Sequence, residues 1–342
     1  MKKIILAAMA FAAFTACVKE EVVTVNQETI AFENAFVDNA TKSVVDPSFT
    51  NTNLFTDFAV FGFVEGAVLF DGTQVSKGIT NNDLESDWKY AGTQYWIAGA
   101  QYNFNAVAPK TAGGWTKTAA VATSTTLSFE NNGTTDLLYA TKAQVGATEN
   151  NAKVAFSFRH VLSKVKFSFQ NAYNATNATI KVKDVKITDA YTTATATLSD
   201  VTSWAGHASD NLVLDFGAAV SEGVDDDADT DGVQIDNTAD AFAYNTTLES
   251  YNELFLIPSV NSETNHSYTV TFTVELLVSG TYVTEYDHTV TATFAPVPGH
   301  SYDIKAVINA ANIDPAHSQE PIEFIVTTIS DWDTTNSDVN AQ

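Results

Sequence analysis

Cys17 is the only cysteine among 342 residues, and its setting decides what its thiol can do. Small residues, Thr15 and Ala16, stand directly before it, at the end of an apolar stretch from Ile4 to Phe14 that Lys2 and Lys3 precede. A basic start followed by an apolar stretch of this length reads as a secretory signal over residues 1–16. A cysteine at the end of such a stretch reads as a lipoprotein signal, in which the thiol is acylated and becomes the mature N-terminus. The other reading is an ordinary signal peptide with an incidental cysteine. On the first reading the thiol is spent on lipid, so it is no nucleophile, and acyl chains hold the protein on a membrane without spanning it. A single cysteine also forbids an internal disulfide.

A second group with chemical capacity is the acidic run Asp225 to Gly232. Asp227, Asp229, Asp231 and Gly232 copy the first half of a calcium loop, in which oxygen ligands at alternate positions surround a hard cation and glycine permits the tight turn. The twelfth position from Asp227 is Thr238 instead of a bidentate glutamate. A solvated acidic loop and a calcium site both stay open, and no other cofactor is expected. The six histidines, at 160, 207, 266, 288, 300 and 317, have no ligand spacing. Nucleophile elbows, zinc-protease helices and phosphate-binding glycine loops are missing from the chain. No pair of carboxylates stands out for glycoside hydrolysis, and the chain reads as a non-enzyme. With 17 basic and 41 acidic residues the net charge is -24, which argues against a nucleic-acid partner. The longest apolar stretches fall short of the ~20 residues of a spanning helix.

The elements around these groups are strands. Val154 to Phe169 carries two apolar alternations out of phase: Val154, Phe156 and Phe158 on even positions, then Val161, Val165, Phe167 and Phe169 on odd ones. A one-residue slip turns a whole set to the other face, so the chain must bulge or break near Arg159–His160. This predicts a hinge between two β-units. Tyr268 to Val278 keeps one apolar parity throughout and turns at Ser279-Gly280 into Tyr282 to Phe294, a hairpin. Ile180 to Ile187, Tyr191 to Leu198, Tyr302 to Asn309 and Pro321 to Ile329 are further strands. In the first half, short strands are expected at Phe58 to Phe63, Val68 to Phe70, Leu127 to Phe129 and Leu137 to Ala140, with a turn at Asn131-Asn132-Gly133. Trp88, Tyr90, Tyr95, Trp96, Tyr102 and Phe104 form an aromatic row that suits either a sheet core or a carbohydrate platform. Glu28 to Phe36 reads as one short strand, with Ile30, Phe32 and Phe36 on one face, ahead of a polar linker in which Lys42 is a protease candidate. Many short strands with little sign of helix point to β-sandwiches.

Three stretches carry a family resemblance: FRHVLSKVKFSF at 158–169, VPGHSYDIKAVINAANI at 297–313 and FIVTTISDW at 324–332. In this order, behind a lipobox-like Cys17 and a Thr41-Lys42 site, the chain resembles the fimbrillin family of Bacteroidetes, the subunits of type V pili. Val18-Lys19-Glu20-Glu21 likewise resembles the signal that carries lipoproteins of that group to the outer face of the outer membrane. The resemblance implies two transthyretin-like β-sandwich domains in tandem, 43–151 and 152–342, after a lipidated propeptide at 17–42. It implies proteolysis between Lys42 and Ser43, which removes the anchor and the first strand together, and repair of the groove by a strand from another pilin subunit. The candidate donor is Ile322, Phe324 and Val326 on one face of the last strand, ending near Trp332; the other reading makes this the last strand of its own sandwich. The implied setting is a fimbria on the outer membrane, with a host or bacterial surface ligand. One departure is plain: an arginine-specific processing enzyme wants arginine at the site, which here is Lys42, while Arg159 is internal. Cleavage then falls to another protease, or the subunit keeps its lipid. The competing expectation is a monomeric surface lipoprotein that binds glycan through its aromatic-rich first half.

Overall fold

The computed structural model describes residues 28–37, 56–80, 83–221, 238–260 and 264–331. Expectations that rest on Cys17, Lys42, Ser43, Trp332 and the acidic Asp227, Asp229 and Asp231 lie outside these residues. Within them the secondary structure is all strand, with no α-helix. The first half contributes β1 (Phe32–Val37), β2 (Asp57–Val64), β3 (Ala67–Thr80), β4 (Asp83–Tyr90), β5 (Gln101–Ala108), β6 (Trp115–Val121), β7 (Ser124–Glu130) and β8 (Leu138–Val145). The middle holds β9 (Val154–His160), β10 (Ser163–Asn171), β11 (Ala178–Leu198), β12 (Ser203–Gly217) and β13 (Ala219–Val220). The rest is β14 (Phe242–Ala243), β15 (Thr247–Ser250), β16 (Leu254–Leu256), β17 (His266–Val278), β18 (Thr281–Phe294), β19 (His300–Ile308) and β20 (Phe324–Asp331).

These strands make three sheets. The first runs β1-β9-β8-β5-β2-β3-β4, the second β13-β15-β10-β19-β20, and the third β18-β17-β11-β7-β6. The expected hinge falls at Val161–Leu162: β9 ends the first apolar alternation in the first sheet, and β10 begins the second alternation in the second sheet. Both linking residues are buried. A break, instead of a bulge within one strand, lets each alternation face its own core. Arg159 is taken up locally, its guanidinium over the Tyr139 ring and donating to the Ser199 carbonyl.

The third sheet is shared. β11 is 21 residues long; Ala178 to Ile187 pair with β17, and Thr193 to Leu198 pair with β7 of the first half. One end of it therefore helps enclose the core of Phe167, Phe169, Val182, Phe272 and Ile304. The other end helps enclose a core with Phe61, Phe129, Tyr139, Leu162 and Trp204. Central strand β2 is buried on both faces, which explains its unbroken apolar sequence: Ala59, Phe61 and Phe63 face that second core, while Phe58 and Val60 face a third. A Cβ on Gly62 would come within 2.5 Å of the Phe70 ring, so its lack of a side chain lets Phe70 lie across β2. The expected turn at Asn131-Asn132-Gly133 is there, but its flanking strands do not pair. β7 joins the third sheet and β8 the first. The turn hands the chain from one layer to the next.

Candidate functional site

The third core is closed by the segment 28–33. Ile30 and Phe32 point inward at 1% and 3% exposure. The Phe32 ring stacks on Phe156 at 5.9 Å and meets Phe58, Phe70, Tyr90 and Phe104 edge-on or nearly so at 5.6–6.3 Å. Edge-to-face and offset geometries match the ring quadrupoles, so the pocket is shaped for an aromatic side chain.

The main chain of this segment is bonded on both sides. On one side β1 runs parallel to β9, with Phe32 opposite Val154, and the Val154 amide donates to the Ala31 carbonyl at 2.7 Å. On the other side the Ile30 amide donates to the Gln94 carbonyl at 2.8 Å and the Trp96 amide to the Glu28 carbonyl at 2.9 Å, flanking a Thr29–Tyr95 bridge. The Tyr90 hydroxyl adds a bond to the Ile30 carbonyl at 2.8 Å, and burial pushes that phenol up from its ordinary value. Segment 28–33 thus sits in a slot between β9 and the stretch at Gln94–Trp96. Without it, both walls would present unpaired main-chain groups.

A carboxylate clamps the entrance. Glu28 accepts from the Asn150 amide at 2.6 Å, the Asn151 amide at 2.5 Å and the Asn151 side-chain Nδ2 at 2.8 Å. Asn150 has φ of 56°, a left-handed turn that asparagine tolerates and that aims successive amides at one anion. These bonds, the Asn151 amide first, hold the Glu28 carboxyl below the ordinary value of 4.5. A depressed carboxyl stabilises the fold above its unfolded pKa, and that contribution is lost as pH falls through the folded value. Glu28→Gln is therefore expected to melt below the wild type at neutral pH, with the gap closing as pH falls through the lowered carboxyl value, below 4.5. A gap that persists in acid contradicts the clamp.

The C-terminal segment is docked in this same chain. β20 is the edge of the second sheet and pairs antiparallel with β19, Phe324 opposite Ala306 and Val326 opposite Ile304. Ile322 is buried, and the half-buried Phe324 ring meets Phe167 at 5.8 Å and Phe272 at 6.3 Å. Val326 is half-buried on the same face, whereas Ile325 on the other is 57% exposed. An open groove of about 620 Å³ runs beside this segment, between it and His288, Thr291 and Thr293 of β18.

The aromatic row faces inward. Trp88, Trp96, Tyr102 and Phe104 are buried in the core that Phe32 closes, Tyr90 lines it, and Tyr95 is exposed. Among the described residues no three His, Cys, Asp or Glu converge as a metal site, and no helix is long and apolar enough to cross a membrane. Of the residues singled out in the sequence, Ile30 and Phe32 share one site, while Ile322, Phe324 and Val326 share another. Sequence reasoning missed Glu28, Tyr90, Gln94 and the Asn150–Asn151 turn as parts of the first. The asparagine pair was the available signal, since successive asparagines favour a left-handed turn.

The fimbrillin-like family matches the chain over residues 41–332. Among curated proteins, none matches it. Among solved structures it is similar to a fimbrial protein from Bacteroides vulgatus, at 16% identity and a TM-score of 0.55, covering 89% of this chain and 99% of that one. A candidate cell adhesion protein from Bacteroides uniformis is 14% identical with a TM-score of 0.45, again covering 89% and 99%. The first of these supports the all-β sandwich architecture.

Proposed function

This chain belongs to the fimbrillin-like family, and on that premise we infer that it is a structural, non-enzymatic subunit of a cell-surface fimbria that serves adhesion. The subunit reaches the outer membrane as a lipoprotein acylated at Cys17 and carries two tandem transthyretin-like sandwiches. Proteolysis between Lys42 and Ser43 then removes the anchor and segment 28–37 together, and a strand from another subunit refills the slot.

The observation that carries this reading is the plug-like seat of Ile30 and Phe32. They are buried in the first sheet's core, yet the chain between them and β2 includes the expected cleavage site. Removing them would uncover Phe58, Phe70, Phe104 and Phe156 and leave both slot walls unpaired, a defect that strand addition repairs through main-chain bonds and alternate side-chain pockets. The rival glycan-binding lipoprotein draws little support from the aromatic row, all of which except Tyr95 belongs to or lines the core.

Mass spectrometry of surface-extracted protein tests the proposal. A mature N-terminus at Ser43 in SDS-resistant, high-mass polymer is the expected result. Monomer that keeps acylated Cys17 and contains no polymer overturns it.

A further inference from the structure

Glu28-Thr29-Ile30-Ala31-Phe32 and Glu320-Pro321-Ile322-Glu323-Phe324 share one pattern: glutamate, then isoleucine two residues on, then phenylalanine two residues after that. The first copy fills the slot with each of these side chains in a defined seat. Glu28 lies in the Asn150–Asn151 turn, and Ile30 and Phe32 lie in the aromatic core. The second copy stands at the entry to β20 and spans the face already described as a donor candidate.

We propose that, in the assembled protein, Glu320, Ile322 and Phe324 of a second copy of this chain occupy the seats of Glu28, Ile30 and Phe32, in the same N-to-C direction. This rests on the strand-exchange reading above and assigns it a register and an entrance contact, with the Glu320 carboxylate in the turn of Asn150 and Asn151.

The main-chain bonds are compatible with this register, including at proline. Each bond seen at the slot has its counterpart: the Ile322 amide for that of Ile30, the Glu320 carbonyl for that of Glu28 and the Glu323 carbonyl for that of Ala31. Pro321 falls on Thr29. The bonds from Ile30 to Gln94 and from Trp96 to Glu28 flank the Thr29–Tyr95 bridge, so this is a non-hydrogen-bonded pair and the Thr29 amide points away from Tyr95. A proline there forfeits no bond to that wall. A shift of one residue would turn Ile322 and Phe324 out of the core. A shift of two keeps the main-chain bonds but misplaces the side chains: in one direction Val326 enters a pocket built for a ring, and in the other the Glu320 carboxylate enters the buried Ile30 seat.

The exchange also has a driving force in burial. At home Phe324 is half-buried on an edge strand, whereas the Phe32 seat is 3% exposed and enclosed by rings. Moving the phenylalanine from the first setting to the second removes further apolar area from water.

A disulfide across the bridge position reads the register directly. Non-hydrogen-bonded antiparallel pairs bring Cα atoms to about 4.5 Å, within disulfide reach. Pro321 and Tyr95 are both exposed, so Pro321→Cys with Tyr95→Cys leaves the cores intact. The only native cysteine, Cys17, leaves with the propeptide. Surface polymer of full-length P321C/Y95C, dissociated by heat in SDS, is expected to run as a ladder of covalent multimers that reductant collapses. The two-residue-offset pair Glu323→Cys with Tyr95→Cys is expected to give none. Thr29→Cys with Tyr95→Cys in the unprocessed chain should close an internal disulfide, confirming the geometry of the bridge. Polymer that forms normally but crosslinks only in the offset pair, or in neither pair while the internal control closes, overturns the register and leaves strand exchange standing. Absence of polymer from the wild type overturns strand exchange itself, and the register with it.

Discussion

Phe32→Ala is expected to lower the stability of the unprocessed chain by about 3–5 kcal/mol, the range for removing a buried phenylalanine. The ring is 3% exposed and touches Phe58, Phe70, Tyr90, Phe104 and Phe156. Those neighbours come from β2, β3, β4, β5 and β9, so its loss leaves a cavity that no single strand can collapse into. Trp88 and Trp96 lie in the same core and report on it by fluorescence. Urea unfolding followed at these tryptophans should show the loss as a shift in midpoint. Phe32→Leu, which keeps most of the volume, is expected to lose about 1–1.5 kcal/mol. A loss under 1 kcal/mol for the alanine variant would mean that the slot is stable when empty, and the case for its needing a replacement strand would fall.

Trp204→Ala is the second large effect, at about 3–5 kcal/mol. Trp204 in β12 is 1% exposed; its Nε1 donates to the Val161 carbonyl at 3.0 Å and its ring meets Phe129 at 5.8 Å. It therefore joins β12, the first-half strand β7 and the break between β9 and β10 in one contact. Trp204→Phe keeps an aromatic ring but drops the bond, so about 1 kcal/mol of its loss comes from an unsatisfied Val161 carbonyl. Since the side chain lies in the core that links the first sheet to the third, the alanine variant should also separate unfolding into two steps. A single transition with a small midpoint shift would show that the two halves are held together elsewhere.

Both residues sit where reading the chain and seeing it folded diverge. The alternation of Tyr268 to Val278 was sufficient to place β17 and its hairpin with β18, and the phase slip in Val154 to Phe169 was sufficient to demand a bulge or break near Arg159–His160, where β9 ends. Ile30 and Phe32 were visible as one face of a short strand. Trp204 carried no such signal: its neighbours Ser203, Ala205 and Gly206 show no apolar period. Its burial follows from β12 lying against β11 at Ala196.

What the sequence alone determined was the strand class, the inward face of alternating strands such as β9, β10 and β17, and the break between the first and second sheets. A period of two is a local property, written in consecutive side chains. What only the tertiary structure decided was neighbourhood: that β11 spans two cores, that the Asn131–Gly133 turn passes the chain between layers, and that Glu28 meets Asn150 and Asn151. Those contacts join residues as many as 123 positions apart. The slot is held largely through amides and carbonyls, which every residue carries, and a bond between main-chain groups leaves no mark in the side chains that a sequence displays.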